Sequence, residues 1–370
     1  MTGGRALIDG WPGETRAAVL APAAGGGETL ADLMILRADK PTVTGNLYLG
    51  RVTAIDRGLN AAFVELGLAR PGVLPLKTLP ERPQEGAAVA VRVVREPSPG
   101  KGPKLAPAPD AAAPDVPAPD APAPNAPAPD AAGPARASRA TPPALLAEAT
   151  PLADLLRRAD PRTITVEGAE RRRALAAEAP ELADRLHGYT GARPLFETAG
   201  LEAAIDALLT PEVALEGGGR LLIEPVRTLT AIDVDAGRAD GRGGRARQAL
   251  EVNLRAAAEI ARQVRLRALS GLIVVDFLEL ETKAERQRVA EALAAAFADD
   301  PVETSLSPMR ASGLVEIARQ RTRPALHELL SVPAGVAGRV ADTATLAYDL
   351  LRRAWSEALA NPGRRPVLVA

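Results

Sequence analysis

TAIDVDAGRADGRGGRARQALEVNLRAAAEIARQVRLRALSGLIVVDFLEL, residues 230–280, decides the fold. It opens and closes on short apolar runs that each end in an acid, Asp233 and Asp276. Between them Leu250, Asn253, Leu254, Ala257, Ala258, Ala261 and Val264 recur at helical spacing, which predicts a helix over 248–268. Arg262, Arg265 and Arg267 in its last turns complement the helix dipole, and Ser270-Gly271 stops it. Strand, helix and strand joined by a long crossover make a βαβ unit, so the two strands should lie parallel. Leu272-Ile273-Val274-Val275 reads as a strand buried on both faces. Parallel geometry brings both acids to the carboxyl edge of the sheet, where open α/β sheets hold ligands. Two neighbouring carboxylates there suit one Mg²⁺; the alternatives are an Asp capping a helix and a satisfied buried acid.

Composition narrows the chemistry further. The 370 residues are enough for two or three domains with proper cores. No Cys and two His exclude a thiolate nucleophile, a disulfide framework and an ordinary zinc site, so any metal is a hard one held by oxygen. Lys+Arg at 45 against Asp+Glu at 46 leave a net charge of −1, so nucleic acid would be bound through local basic patches rather than a global field. The opening MTGGRALIDGWPGETR has no apolar core of a signal peptide, and no apolar run is long enough to span a membrane. A cytoplasmic protein is expected.

Residues 105–141 alternate Ala and Pro, with Asp110, Asp115, Asp120 and Asp130 interspersed. Such a stretch supplies few backbone donors and buries little, so it reads as a semi-stiff, disordered linker. Before it, short strand-like runs broken by Arg57-Gly58-Leu59-Asn60 and by residues 67–72 suit a small OB-type barrel. After it, helices are expected at 146–158 and 169–186 with a strand at 162–166, then a strand over 220–234 and an Arg-rich loop over 237–247.

These blocks resemble the ribonuclease E/G family. GNLYLGRVTAIDRGLNAAFVELGLARPGVLPLK (45–77) is similar to its OB-type, S1-type RNA-binding domain. LTAIDVDAGR, residues 253–280 and SGLVEIARQRTRPAL (312–326) are similar to its catalytic core in the same order, and GETRAAVL (13–20) to its first strands. The resemblance implies an α/β multidomain protein: a discontinuous RNase H-like domain (1–40 and 142–207) with the OB-fold domain inserted (41–104, then the linker 105–141). A DNase I-like catalytic domain (208–331) and a degenerate link with a truncated small domain (332–370) follow. It implies an endoribonuclease that cuts single-stranded RNA and leaves 5′-phosphate ends. One Mg²⁺ would be held by Asp233 and Asp276 as catalytic ligands, lowering the pKa of a water and neutralising charge on the phosphate.

Departures from the family pattern shape the remaining expectations. Asp235 stands where the family carries Asn, giving a possible third metal ligand. The Ala-Pro stretch occupies the interval of the family's 5′-monophosphate sensor loop, and Glu303 aligns with a later sensor Arg, so 5′-end sensing should be missing. Val332-Pro333-Ala334-Gly335 replaces the zinc-link cysteines, so neither zinc nor zinc-linked assembly is expected. Phe63, on strand pattern either core or surface, matches a base-stacking position whose second aromatic is Val73 here, and Lys101 matches a lysine near RNA phosphates. Arg238, Arg242, Arg245 and Arg247 are candidates for a phosphate clamp, with Arg319, Arg321 and Arg323 expected to flank the same cleft. The alternative function is a non-catalytic RNA-binding or regulatory relative.

Overall fold

The computed structural model describes residues 4–11, 13–23, 25–97, 100–108, 141–191, 193–237, 245–334, 338–361 and 363. The described chain divides into two units, residues 43–150 and residues 1–42 with 151–370.

The unit 43–150 is a closed β-barrel. Strands Leu47–Asp56, Ala61–Glu65, Gly72–Pro75, Lys104–Pro107 and Ala88–Arg95 pair in that cyclic order, and the last returns to the first. Only the Gly72–Pro75 and Lys104–Pro107 pair is parallel. Closure of five strands is consistent with an OB fold and removes the free edges. Tyr48, Val52, Val64, Leu74, Val91, Val93 and Leu105 fill the interior. Gly72 is required by packing, since a Cβ there would lie 2.6 Å from the Leu105 side chain. The barrel reaches past the expected linker boundary: Leu105 is 1% exposed in a strand, and Ala144–Ala147 adds to Leu47–Asp56 as a sixth strand. Helix therefore begins at Pro151 rather than 146. Most of the expected linker, residues 109–140, lies outside the described residues.

Among its described residues the other unit contains two larger sheets and a two-stranded one, Ser331–Ala334 with Gly338–Ala341. The first has the order Leu186–Gly188, Thr163–Glu167, Arg5–Trp11, Glu14–Pro22, Glu28–Arg37. Its first three strands are parallel and the rest form an antiparallel meander, so a sheet with one central strand near the N-terminus is completed by residues beyond the barrel. Helices Pro151–Ala159 and Ala169–Glu178 bury Leu152, Leu155, Leu156 and Leu175 against Ile8, Ile164 and Val166.

The second sheet has the order Glu212–Ala214, Arg220–Pro225, Thr230–Asp235, Gly271–Asp276, Leu314–Arg319, Thr304–Leu306. The segment expected as one strand over 220–234 is a hairpin. Pro225 ends the first strand and the Val226 N–H donates to Leu229 O across the turn. Helix Arg245–Leu266 then crosses over, and Thr230–Asp235 and Gly271–Asp276 are parallel as predicted.

Helices Arg245–Leu266 and Lys283–Phe297 cover the same face of this sheet. Val252, Ala256, Ile260, Val264, Val289 and Leu293 meet Ile232, Val234, Ile273, Val275, Val315 and Ile317. Each Ile or Val buried there contributes about 1.5–3 kcal/mol. Thr282 and Glu285 close a capping box at the start of the second helix. The opposite face is open, which corrects the expectation of a strand buried on both sides: Leu272 is 41% exposed and Val274 half-buried. Alternation along Gly271–Asp276 places Asp276 on that open face.

Candidate functional site

Asp233 and Asp276 are register partners across the parallel pair, each at or near the carboxyl end of its strand. Both lie on the open face, exposed, while Ile232, Val234 and Val275 beside them are core. Among the described residues neither carboxylate accepts a hydrogen bond or joins an ion pair. Burial, then the neighbouring Asp276 and Asp235 carboxylates, raise the Asp233 pKa above its ordinary value, and Arg220 offsets this in part. Two uncompensated acids on adjacent strands repel each other and present only oxygen donors, the donor set that a hard divalent cation requires.

Asp235 shares the face but is otherwise engaged. It is the register partner of Arg220, whose Nε donates to its carboxylate at 2.9 Å, and it accepts from the Gly237 N–H at 2.8 Å. Those two partners hold its carboxyl below the usual range. Both contacts commit Asp235 oxygens to protein donors, unlike those of Asp233 and Asp276.

Arg238 and Arg242 lie outside the described residues, as does the side chain of Arg245. Arg247 is exposed on the first turn of its helix, paired with Glu251 one turn on. The structure separates Arg319, Arg321 and Arg323 from the acidic edge. Their strand is antiparallel to Gly271–Asp276, so Leu314 sits opposite Asp276 and Arg319 opposite Gly271. Arg319 is buried against Asp300, Arg321 pairs with Glu328, and Arg323 donates to Leu33 O. These arginines hold elements together. Of the described arginines, Arg220 lies nearest this edge in the ladder, paired with Asp235, while Arg310, in the turn leading into Leu314, pairs with Glu316.

The barrel carries a second constellation. Phe63 is half-buried on its strand, with Val73 as its register partner, and Val73 in turn neighbours Lys104. These three line a groove with Arg70, Arg95 and Lys101. All four basic side chains are exposed, and among the described residues none is in an ion pair. Phe63 and Lys101 were legible in sequence; Arg70, Arg95 and Lys104, scattered over 35 positions, converge only through barrel closure.

Comparison with known proteins places these features in a family. The Ribonuclease E/G family model matches residues 135–322, which include both free acids. Ribonuclease G of Haemophilus influenzae is 26% identical over 433 aligned positions, covering 94% of this chain and 86% of that protein. Ribonuclease G of Escherichia coli K12 is 34% identical over 176, covering 47% of this chain and 36% of that protein. Ribonuclease E of Escherichia coli K12 is 28% identical over 413, covering 90% of this chain and 39% of that protein. In these two Escherichia coli alignments the chain spans little more than a third of the relative's length.

Proposed function

The chain belongs to the ribonuclease E/G family, and from that premise we propose that it is a Mg²⁺-dependent endoribonuclease acting on single-stranded RNA. The observation that carries the reading is the in-register pair of free carboxylates at one strand edge. Asp233 and Asp276 hold the cation, since their oxygens are uncommitted and their mutual repulsion is relieved by a dication. When bound, Mg²⁺ supplies positive charge against the charge that gathers on the phosphate oxygens in the transition state. The chain's own contribution is to fix both carboxylates on adjacent strands, so that little reorganisation accompanies reaction. The open sheet face beside Leu272 and Val274 leaves the pair accessible to a polymer strand.

On this reading the two α/β parts are RNase H-like and DNase I-like, and the barrel is an S1-type module. Its groove binds RNA by stacking a base on Phe63 and by pairing phosphates with Arg70, Arg95, Lys101 and Lys104. Val73 beside Phe63 offers no second stacking surface, so selectivity among bases is weak. Products carry 5′-phosphates; cleavage is indifferent to the 5′ end, because the Ala-Pro stretch 105–141 carries no sensor motif. The enzyme works without zinc-linked assembly, as residues 332–335 contain no cysteine.

The test is cleavage of an unstructured A/U-rich RNA, as 5′-monophosphate and as 5′-hydroxyl, with Mg²⁺ and with EDTA. Internal cuts at equal rates on both substrates, abolished by EDTA, are expected. RNA binding without cleavage would favour the non-catalytic alternative.

A further inference from the structure

We propose that Asn253 is a positioning residue for Asp276; the inference rests on Asp233 and Asp276 forming the cation site. Asp276 is the last residue of its strand, and its carboxylate has no hydrogen-bond partner of its own among the described residues. Its orientation is therefore set by the backbone on either side. On the strand side, Thr230–Asp235 and Leu314–Arg319 hold it through the ladder. Just beyond it, the Phe277 N–H keeps a long contact with the neighbouring turn, donating to Gly313 O at 3.3 Å.

Asn253 takes over where the ladder stops. It is 0% exposed, in the middle of helix Arg245–Leu266, on a face otherwise made of Val252, Ala256, Ala257 and Ile260. Its Nδ2 donates to Leu278 O at 2.8 Å, and its Oδ1 accepts from the Leu278 N–H at 3.0 Å. One side-chain amide thus satisfies both backbone groups of the residue two beyond Asp276, acting as a detached peptide unit that adds a rung to the sheet. Only Asn has this donor and acceptor at this length. Asp lacks the donor, Gln is a methylene longer, and Leu matches the volume without either bond.

The same turn is held from the other side by Gly313. Its φ is +90°, and a Cβ there would stand 2.3 Å from Phe277 O and 3.7 Å from Asp276 Oδ1. Asn253 and Gly313 therefore fix Phe277-Leu278 between the crossover helix and the neighbouring turn, and so fix where the Asp276 carboxylate points.

The full chain would be titrated with Mn²⁺, reading the free ion by electron paramagnetic resonance, for wild type, Asp276→Asn, Asn253→Leu and Gly313→Ala. Circular dichroism would confirm that each is folded. Wild type should show a site that Asp276→Asn removes. Asn253→Leu should weaken it about tenfold or more, the usual effect of losing an outer partner of a metal ligand, and Gly313→Ala should weaken it too. In RNA cleavage, Asn253→Leu should raise the Mg²⁺ needed for half-maximal rate while leaving KM for RNA within about threefold, a split that general loosening would not produce. Folded Asn253→Leu with wild-type Mn²⁺ affinity would overturn the proposal. If that variant does not fold, unchanged affinity in Gly313→Ala would do so. Equal Mn²⁺ binding by wild type and Asp276→Asn would instead overturn the cation site on which the proposal stands.

Discussion

Replacing Asp233 by Asn should stabilise the protein while removing the proposed cation site. The two acids are register partners on adjacent strands, and adjacent strands lie about 4.8 Å apart. Two unit charges at about that distance repel by ~0.9 kcal/mol in bulk water and ~3.5 kcal/mol at an effective dielectric near 20. Both side chains are exposed on the open face, so screening favours the lower figure, about 1 kcal/mol. For a unit of this size that corresponds to a rise of roughly 2–3 °C in Tm. The pH dependence has a definite sign. The Asp233 pKa is raised in the folded state, first by burial and then by Asp276 and Asp235. The folded wild type therefore holds its proton where the unfolded chain has released it, and loses stability as pH rises from the ordinary value of about 3.9 through the raised one. Asn has no such loss, so the advantage of Asp233→Asn is complete at pH 7 and gone below about pH 3.9. Thermal unfolding in EDTA at pH 7 and pH 3 would measure it, and added Mg²⁺ should raise wild-type Tm while leaving the variant unmoved. A variant less stable than wild type at pH 7 in EDTA would refute the reasoning.

Three further outcomes follow from the geometry. Phe63→Ala should weaken binding of a short single-stranded RNA by about 1–3 kcal/mol, measured by fluorescence anisotropy, with little change in barrel stability because Phe63 is only half-buried. Neutralising Lys101 and Lys104 together should flatten the slope of log K against log salt by roughly 1.4, about 0.7 for each phosphate no longer neutralised, without altering base preference. Arg319→Ala should cost about 3–5 kcal/mol in urea unfolding, because the buried Asp300 carboxylate would lose its ion-pair partner and keep the Val302 N–H. At equal folded fraction it should leave cleavage intact, since Arg319 sits at the edge opposite Asp276.

The βαβ unit was legible because its apolar periodicities are strong and the crossover rule fixes handedness and direction. That combination is enough to put Asp233 and Asp276 at one edge from pattern alone. The barrel was legible from its strand runs, yet its last two strands were not. Lys104–Pro107 and Ala144–Ala147 are written in the same Ala, Pro and Leu alphabet as the intervening stretch, and only pairing with Ala88–Arg95 and Leu47–Asp56 distinguishes them. The open sheet face was hidden because Leu272 and Val274 are as apolar as residues beneath a helix, while both helices pack on the other side. Arg319, Arg321 and Arg323, all three within the block SGLVEIARQRTRPAL (312–326), were expected at the cleft. The antiparallel direction of Leu314–Arg319 carries them away from it. Asn253 did leave a signal, a polar residue within an apolar helical stripe, but its partner Leu278 lies 25 positions on and is visible only in the fold.

The most direct test is the single-turnover rate of RNA cleavage at saturating Mg²⁺ for wild type, Asp233→Asn and Asp276→Asn, each first shown to bind the RNA through an intact barrel. If the two carboxylates hold the cation against the scissile phosphate, either change should lower the rate by at least about 100-fold, the effect of losing a few kcal/mol of transition-state stabilisation. RNA affinity should stay nearly unchanged. Cleavage by either variant within a few fold of wild type would contradict the account.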